Sequence, residues 1–112
     1  SQEEGEDRSD SEESVVGWLA ARDGSCKLDI RRGVNTVGRR AADNDIDIPD
    51  PYCSGRHADL IVEDGRFTIT DIGSTNGTLV NGVRLEANVP RELAAGDEIT
   101  LGQMTFVLEV RE

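Results

Sequence analysis

The sequence predicts an all-β domain, a sandwich or a barrel, preceded by an acidic tail. Three observations carry that expectation. Apolar side chains recur with a period of two in several short runs, which gives each run one face to bury. Asp-Gly and Asn-Gly pairs punctuate the chain between the runs, and both residue types tolerate the positive φ of tight turns. The only helix-like stretch, Arg91 to Ala95, is too short to stand alone. No internal repeat is visible.

In chain order, residues 1–14 come first, with seven acids (Glu3, Glu4, Glu6, Asp7, Asp10, Glu12, Glu13), one base (Arg8) and no apolar side chain. Such a segment cannot bury enough surface to offset its ordering entropy, so it is expected to be a disordered tail. Residues 15–112 are expected to form the domain, with Trp18, the only tryptophan, in its core or at an edge. Cys26, Leu28 and Ile30 alternate with charged neighbours and predict a strand after the Asp23-Gly24 turn. A second strand begins near Val34 and ends at Val37-Gly38. The apolar run Leu60-Ile61-Val62 precedes an Asp64-Gly65 turn, and Phe67 and Ile69 alternate after it. Asn76-Gly77, Asn81-Gly82 and Gly96-Asp97 mark further turns, and Met104, Phe106, Leu108 and Val110 define a last strand.

Composition excludes several function classes. Twenty-three Asp and Glu stand against twelve Lys and Arg in 112 residues, a net charge of −11, of which −6 falls in the first fourteen residues and −5 in the rest. A general nucleic-acid binder needs a broad basic surface, so none is expected. No apolar run approaches the ~18–20 residues that cross a bilayer, and no signal-peptide pattern opens the chain. Cys26 and Cys53 are too few for a disulfide framework and lack metal-ligand companions. The expectation is a monomeric cytoplasmic protein without metal or cofactor, the nucleus being open to a eukaryotic one.

Three polar clusters fall in loops between the expected strands: Val37-Gly38-Arg39-Arg40, Tyr52-Cys53-Ser54-Gly55-Arg56-His57-Ala58, and Asp71-Ile72-Gly73-Ser74-Thr75-Asn76-Gly77-Thr78, the last followed by Val80-Asn81-Gly82. They bring guanidinium and hydroxyl donors, a side-chain amide, and glycines that let backbone N–H groups approach a ligand. That inventory suits a tetrahedral dianion, because Arg gives charge-assisted forked bonds and hydroxyls fill the remaining acceptor sites.

The ordered set Gly38-Arg39, Ser54-x-x-His57, Ser74-Thr75-Asn76-Gly77 and Asn81-Gly82, with Asp43-Asn44-Asp45-Ile46 between the first two, resembles the forkhead-associated (FHA) domain from about Val15 to Val110. The resemblance implies a twisted sandwich of two antiparallel sheets that binds phosphothreonine peptides through loops at one end. It implies that Arg39 is the main cationic partner of the phosphate, and that Ser54 and Thr75 donate hydroxyls to it from opposing loops. Asn76 would bond the peptide backbone. His57 would brace the loop from beneath, and Gly38, Gly77, Asn81 and Gly82 would shape the loops. One position departs from the pattern: Gly55 stands where the family often has Arg, Lys or Asn, so its backbone N–H can reach the phosphate but a side-chain contact is lost.

Two other readings stand beside this one. A hydrolase would use Ser54 and His57, yet no orienting acid, nucleophile elbow or oxyanion motif accompanies them. A phospho-independent interaction domain would keep the sandwich with a phosphate site weakened at Gly55. For single residues, Cys53 reads as an inert small side chain, and Gly77 and Gly82 as conformational.

Overall fold

A computed structural model of the protein describes residues 15–39 and 41–111. The expected tail, residues 1–14, lies outside the described residues. Among the described residues, eleven strands follow one another: β1 (Val15–Ala21), β2 (Lys27–Arg31), β3 (Gly33–Gly38), β4 (Ile46–Asp47), β5 (Ala58–Glu63), β6 (Arg66–Asp71), β7 (Thr78–Val80), β8 (Val83–Arg84), β9 (Arg91–Leu93), β10 (Glu98–Leu101) and β11 (Met104–Val110). One 3-10 turn, Ala41–Asp43, precedes β4.

The strands form a sandwich. One sheet has the order β2-β1-β11-β10-β7-β8 and the other β4-β3-β5-β6-β9. Period-two patterning is what divides each strand between core and solvent: β1, β5 and β7 alternate strictly between buried and less buried positions. Leu19, Ile30, Ile99, Phe106 and Leu108 face inward from the first sheet, and Val37, Leu60, Phe67 and Ile69 from the second. Each fully buried Leu, Ile or Phe contributes about 1.5–3 kcal/mol by leaving water. Trp18 is half-buried on β1, with the Lys27 ammonium 4.8 Å from its ring centre.

Three details differ from the sequence-based expectation. The second sheet is mixed, because β3 and β4 pair in parallel, Val37 opposite Ile46. The helix-like stretch at Arg91 is strand β9, which pairs Phe67 with Leu93 and buries Leu93. Five residues cannot nucleate a helix alone, whereas a free sheet edge supplies their backbone partners at once. Asn76-Gly77 does not close a hairpin, since β6 and β7 belong to different sheets and residues 72–77 cross between them. The pairs Asp64-Gly65 (φ 53° and 78°) and Asn81-Gly82 (φ 53° and 84°) do close two-residue hairpins, with both central residues at the positive φ of that turn.

Register fixes which loops meet. Ala21 lies opposite Phe106 and Gly17 opposite Val110, so β1 starts where β11 ends. At the other end of the sandwich stand the connections leaving β3, entering β5 and joining β6 to β7, together with the Gly102-Gln103 turn between β10 and β11.

Candidate functional site

The site begins with a glycine. The segment before β5 folds back over the end of β3, where the His57 N–H donates to the Val37 carbonyl (2.8 Å) and the Arg39 N–H to the Ser54 carbonyl (3.0 Å). Gly38 lies between those two bonds. A Cβ there would stand 2.1 Å from the Gly55 carbonyl oxygen and 2.8 Å from its carbon. The Asn44 amide donates to the same oxygen at 2.6 Å. This close approach presents Arg39 and Ser54 side by side. Arg39 is exposed, and its Nε donates to the Cys53 carbonyl (3.1 Å), which orients the guanidinium and leaves both terminal nitrogens uncommitted among the described residues.

His57 lies fully buried below this segment. The Ser54 N–H donates to its Nδ1 (3.0 Å), so Nδ1 is unprotonated. Nε2 therefore carries the ring proton and donates it to the Gly77 carbonyl at 2.9 Å. One neutral imidazole thus ties the Ser54 loop to the β6–β7 crossing. The same geometry removes Ser54 and His57 as a nucleophile–base pair: the ring contacts the serine's backbone, while the serine Oγ accepts the Thr75 N–H at 3.0 Å. Cys53 is also unsuited to attack. Burial, then the nearby Asp50 carboxylate, pushes its thiol up to about 12 against the opposing pull of Arg39.

The crossing is organised by Asp71, the last residue of β6. Its Oδ1 accepts the N–H groups of Gly73 (2.8 Å) and Ser74 (3.0 Å), and its Oδ2 accepts the hydroxyls of Ser74 (2.5 Å) and Thr78 (2.7 Å). The Gly77 N–H closes the turn on Ser74 Oγ at 2.9 Å. Burial pushes the Asp71 carboxyl up, but the bonds from Ser74, Thr78 and Gly73 together outweigh it and hold the group below the usual aspartate value. Its ionised form therefore stabilises the fold fully above about pH 5, and that contribution drains away as the pH falls through the folded-state value. Asp71→Asn should cost about 2–4 kcal/mol at neutral pH, because several donors lose a charged acceptor. Thermal melts of both proteins from pH 7 to pH 3 test this: the gap in Tm should be widest at pH 7 and narrow below pH 4. A gap unchanged across that range would remove the charge from the argument.

The two loops are stitched at the surface as well. Besides the Thr75–Ser54 bond, Asn76 Nδ2 donates to the Tyr52 carbonyl at 2.6 Å. Asp50, which is buried, holds the Tyr52 loop from behind, accepting the Tyr52 N–H (2.8 Å) and the Gln103 N–H of the β10–β11 turn (2.8 Å).

The structure thus brings Gly38, Arg39, Ser54, Gly55, His57, Thr75, Asn76 and Gly77 to one end of the sandwich. Asn81 and Gly82 lie elsewhere, in the hairpin turn at the other end of β7, where Asn81 is bonded to Asp97 (3.1 Å) and Glu98 (2.9 Å). Four residues of the site have no role in the motif reading: Asp50 and Arg84 stand outside the quoted motifs, and Asn44 and Asp71 stand within them without one. Asp71-x-Gly and Asp50-Pro51 carry a local signal, since an aspartate readily bonds backbone two residues on and Asp-Pro favours turns. The Asn44 contact with Gly55 and the Arg84 contact with Gly77 are long-range and leave no such mark. Among the described residues, no three His, Cys, Asp or Glu side chains group so as to hold a metal ion.

Comparison with known proteins points the same way. The family model for the FHA domain matches residues 35–102. The glycogen accumulation regulator GarA of Mycolicibacterium smegmatis is 35 % identical over 108 residues, a match spanning 87 % of this chain and 66 % of that protein. A solved FHA domain from a structural and functional analysis of phosphothreonine-dependent FHA domain interactions is 31 % identical, with a TM-score of 0.77 over 87 % of this chain and 98 % of its own. The N-terminal FHA domain of Rad53p from S. cerevisiae, solved with a phosphothreonine peptide, is 28 % identical, with a TM-score of 0.76 over 87 % of this chain and 94 % of its own.

Proposed function

This chain belongs to the FHA domain family, and on that footing we propose that its loop end is a non-catalytic receptor for phosphothreonine in a protein partner. The observation that carries the reading is the double use of Ser54. Its Oγ accepts the Thr75 N–H, so an acceptor site of the hydroxyl is spent and its proton remains to donate to an anion. Beside it, the terminal nitrogens of Arg39 form the fork for a phosphate, oriented by the Nε bond to Cys53. Gly55 offers its backbone N–H from one loop and Thr75 its hydroxyl from the other. Asn76, with Nδ2 engaged on Tyr52, keeps Oδ1 to accept a backbone N–H of the peptide. Two described solved relatives support the ligand class, one named for phosphothreonine-dependent interactions and one holding a phosphothreonine peptide. The relative named as a regulator supports a recruiting role without chemistry of its own. The free thiols of Cys26 and Cys53 support a reducing, cytoplasmic setting, and the site as described needs only one copy of the chain.

Calorimetric titration with matched threonine and phosphothreonine peptides tests the proposal. The phosphorylated peptide should bind at least about thirtyfold more tightly, the lower end of what a forked, charge-assisted contact contributes. Equal binding of both would favour a phospho-independent interaction surface, the reading that the bare Gly55 allows.

A further inference from the structure

Arg84 holds a position that phosphate capture leaves unexplained. The Asn81-Gly82 turn folds β8 back along β7, pairing Leu79 with Arg84 and bonding the Leu85 N–H to the Thr78 carbonyl (2.8 Å). That return lays the Arg84 side chain across the backbone of Gly77. A Cβ on Gly77 would stand 2.8 Å from its Nε and 2.9 Å from its Cζ. Gly77, at φ +85°, is buried, whereas Arg84 is exposed and sits one residue from Asn76. In a chain of net charge −11, Arg84 has no ion-pair partner among the described residues. Arg56, by contrast, is paired with Asp59 at 3.2 Å. Among the described residues, the loop end therefore carries two guanidinium groups without an ion-pair partner, Arg39 beside Ser54 and Arg84 beside Asn76, with the Ser54–Thr75 stitch between them.

We propose that Arg84 is a specificity residue, reading an anionic side chain of the ligand that lies on the Asn76 side of the phosphothreonine. The inference rests on the phosphothreonine reading above and extends it to a neighbouring residue of the peptide. Arg39 engages the phosphate, while Arg84 lies beyond Asn76, which holds the peptide backbone. A carboxylate or a second phosphate meeting it there gains a fork that no acid of the protein occupies. Gly55 makes this contribution more decisive, because the serine loop offers no second cation at the position after Ser54.

The test uses the full chain and a nine-residue peptide of alanine and glutamine with a central phosphothreonine. One glutamate replaces glutamine at each flanking position in turn, and a parallel set carries phosphoserine there. For wild type, glutamate at one position should tighten binding about two- to fivefold at 0.15 M salt, the size of a partly exposed charge pair, and phosphoserine there should tighten it further. In Arg84→Gln, the glutamate and glutamine peptides should converge to within about 1.5-fold, both still distinguished from their unphosphorylated forms; Arg84→Lys should keep part of the preference. A preference that survives intact in Arg84→Gln, or no preference in wild type at any position, overturns the inference while leaving the phosphothreonine site standing. Wild type that ignores the central phosphate overturns both.

Discussion

Arg39→Ala should abolish measurable binding of a phosphothreonine peptide while the domain melts as wild type does. The side chain is exposed, and among the described residues its one bond runs from Nε to the Cys53 carbonyl, so its removal should change stability by no more than about 1 kcal/mol. Binding is another matter. The dianion would lose the forked cation that the described residues set beside Ser54, a loss of about 2–5 kcal/mol, or roughly thirty- to several-thousandfold in Kd. Arg39→Lys should fall between the two, since an ammonium keeps the charge but not the planar fork. A mutant that binds within twofold of wild type would show that the phosphate is held elsewhere.

Gly38→Ala should damage fold and site together. Its new methyl would have to occupy the space of the Gly55 carbonyl, 2.1 Å from the oxygen, and the obstructing atoms are backbone rather than the tip of a flexible side chain. Overpacking costs typically about 1–3 kcal/mol where side chains can yield, and a rigid obstacle puts this case at the upper end or beyond. For a domain of this size that corresponds to a Tm lower by roughly 10–20 °C. The segment that must move carries Ser54 and Gly55 and is anchored by Asn44, so peptide affinity should fall even where the mutant remains folded. A mutant with the melting temperature and affinity of wild type would mean that the Gly55 carbonyl does not rest on Gly38.

What could be read from the sequence divides along physical lines. The alternation of Phe106 and Leu108, or of Phe67 and Ile69, is a local property of a strand with one buried face, and it translated directly into the two inner faces of the sandwich. The Asn81-Gly82 pair likewise encodes its own backbone conformation. Pairing between sheets is not local. Arg91 to Leu93 has no periodicity of its own and becomes a strand because β6 offers an edge; Asn76-Gly77 carries a hairpin signal but sits where the chain changes sheet. The site follows the same rule. Residues grouped in motifs were legible as a set, whereas the contacts of Asn44 and Arg84, with partners eleven and seven residues away, carry no local signal; Asp50-Pro51 announces its own turn but not the bond to Gln103, fifty-three residues on.

The start of β1 and the last described residue lie against each other: the Arg111 N–H donates to the Val16 carbonyl (2.8 Å) and its Nη1 to the Val15 carbonyl (3.1 Å). Both points of attachment are therefore at the back of the domain, a strand length of roughly 20 Å from the loops. A tag, resin or neighbouring domain joined directly at Val15 or Arg111 would leave the domain from the end opposite the loops. Two copies linked through these points would face outward in opposite directions. On the proposed phosphothreonine reading, such a pair would suit two separate phosphorylated molecules, and clamping two marks on one short peptide would require a linker long enough to bring both loop ends round to the same side.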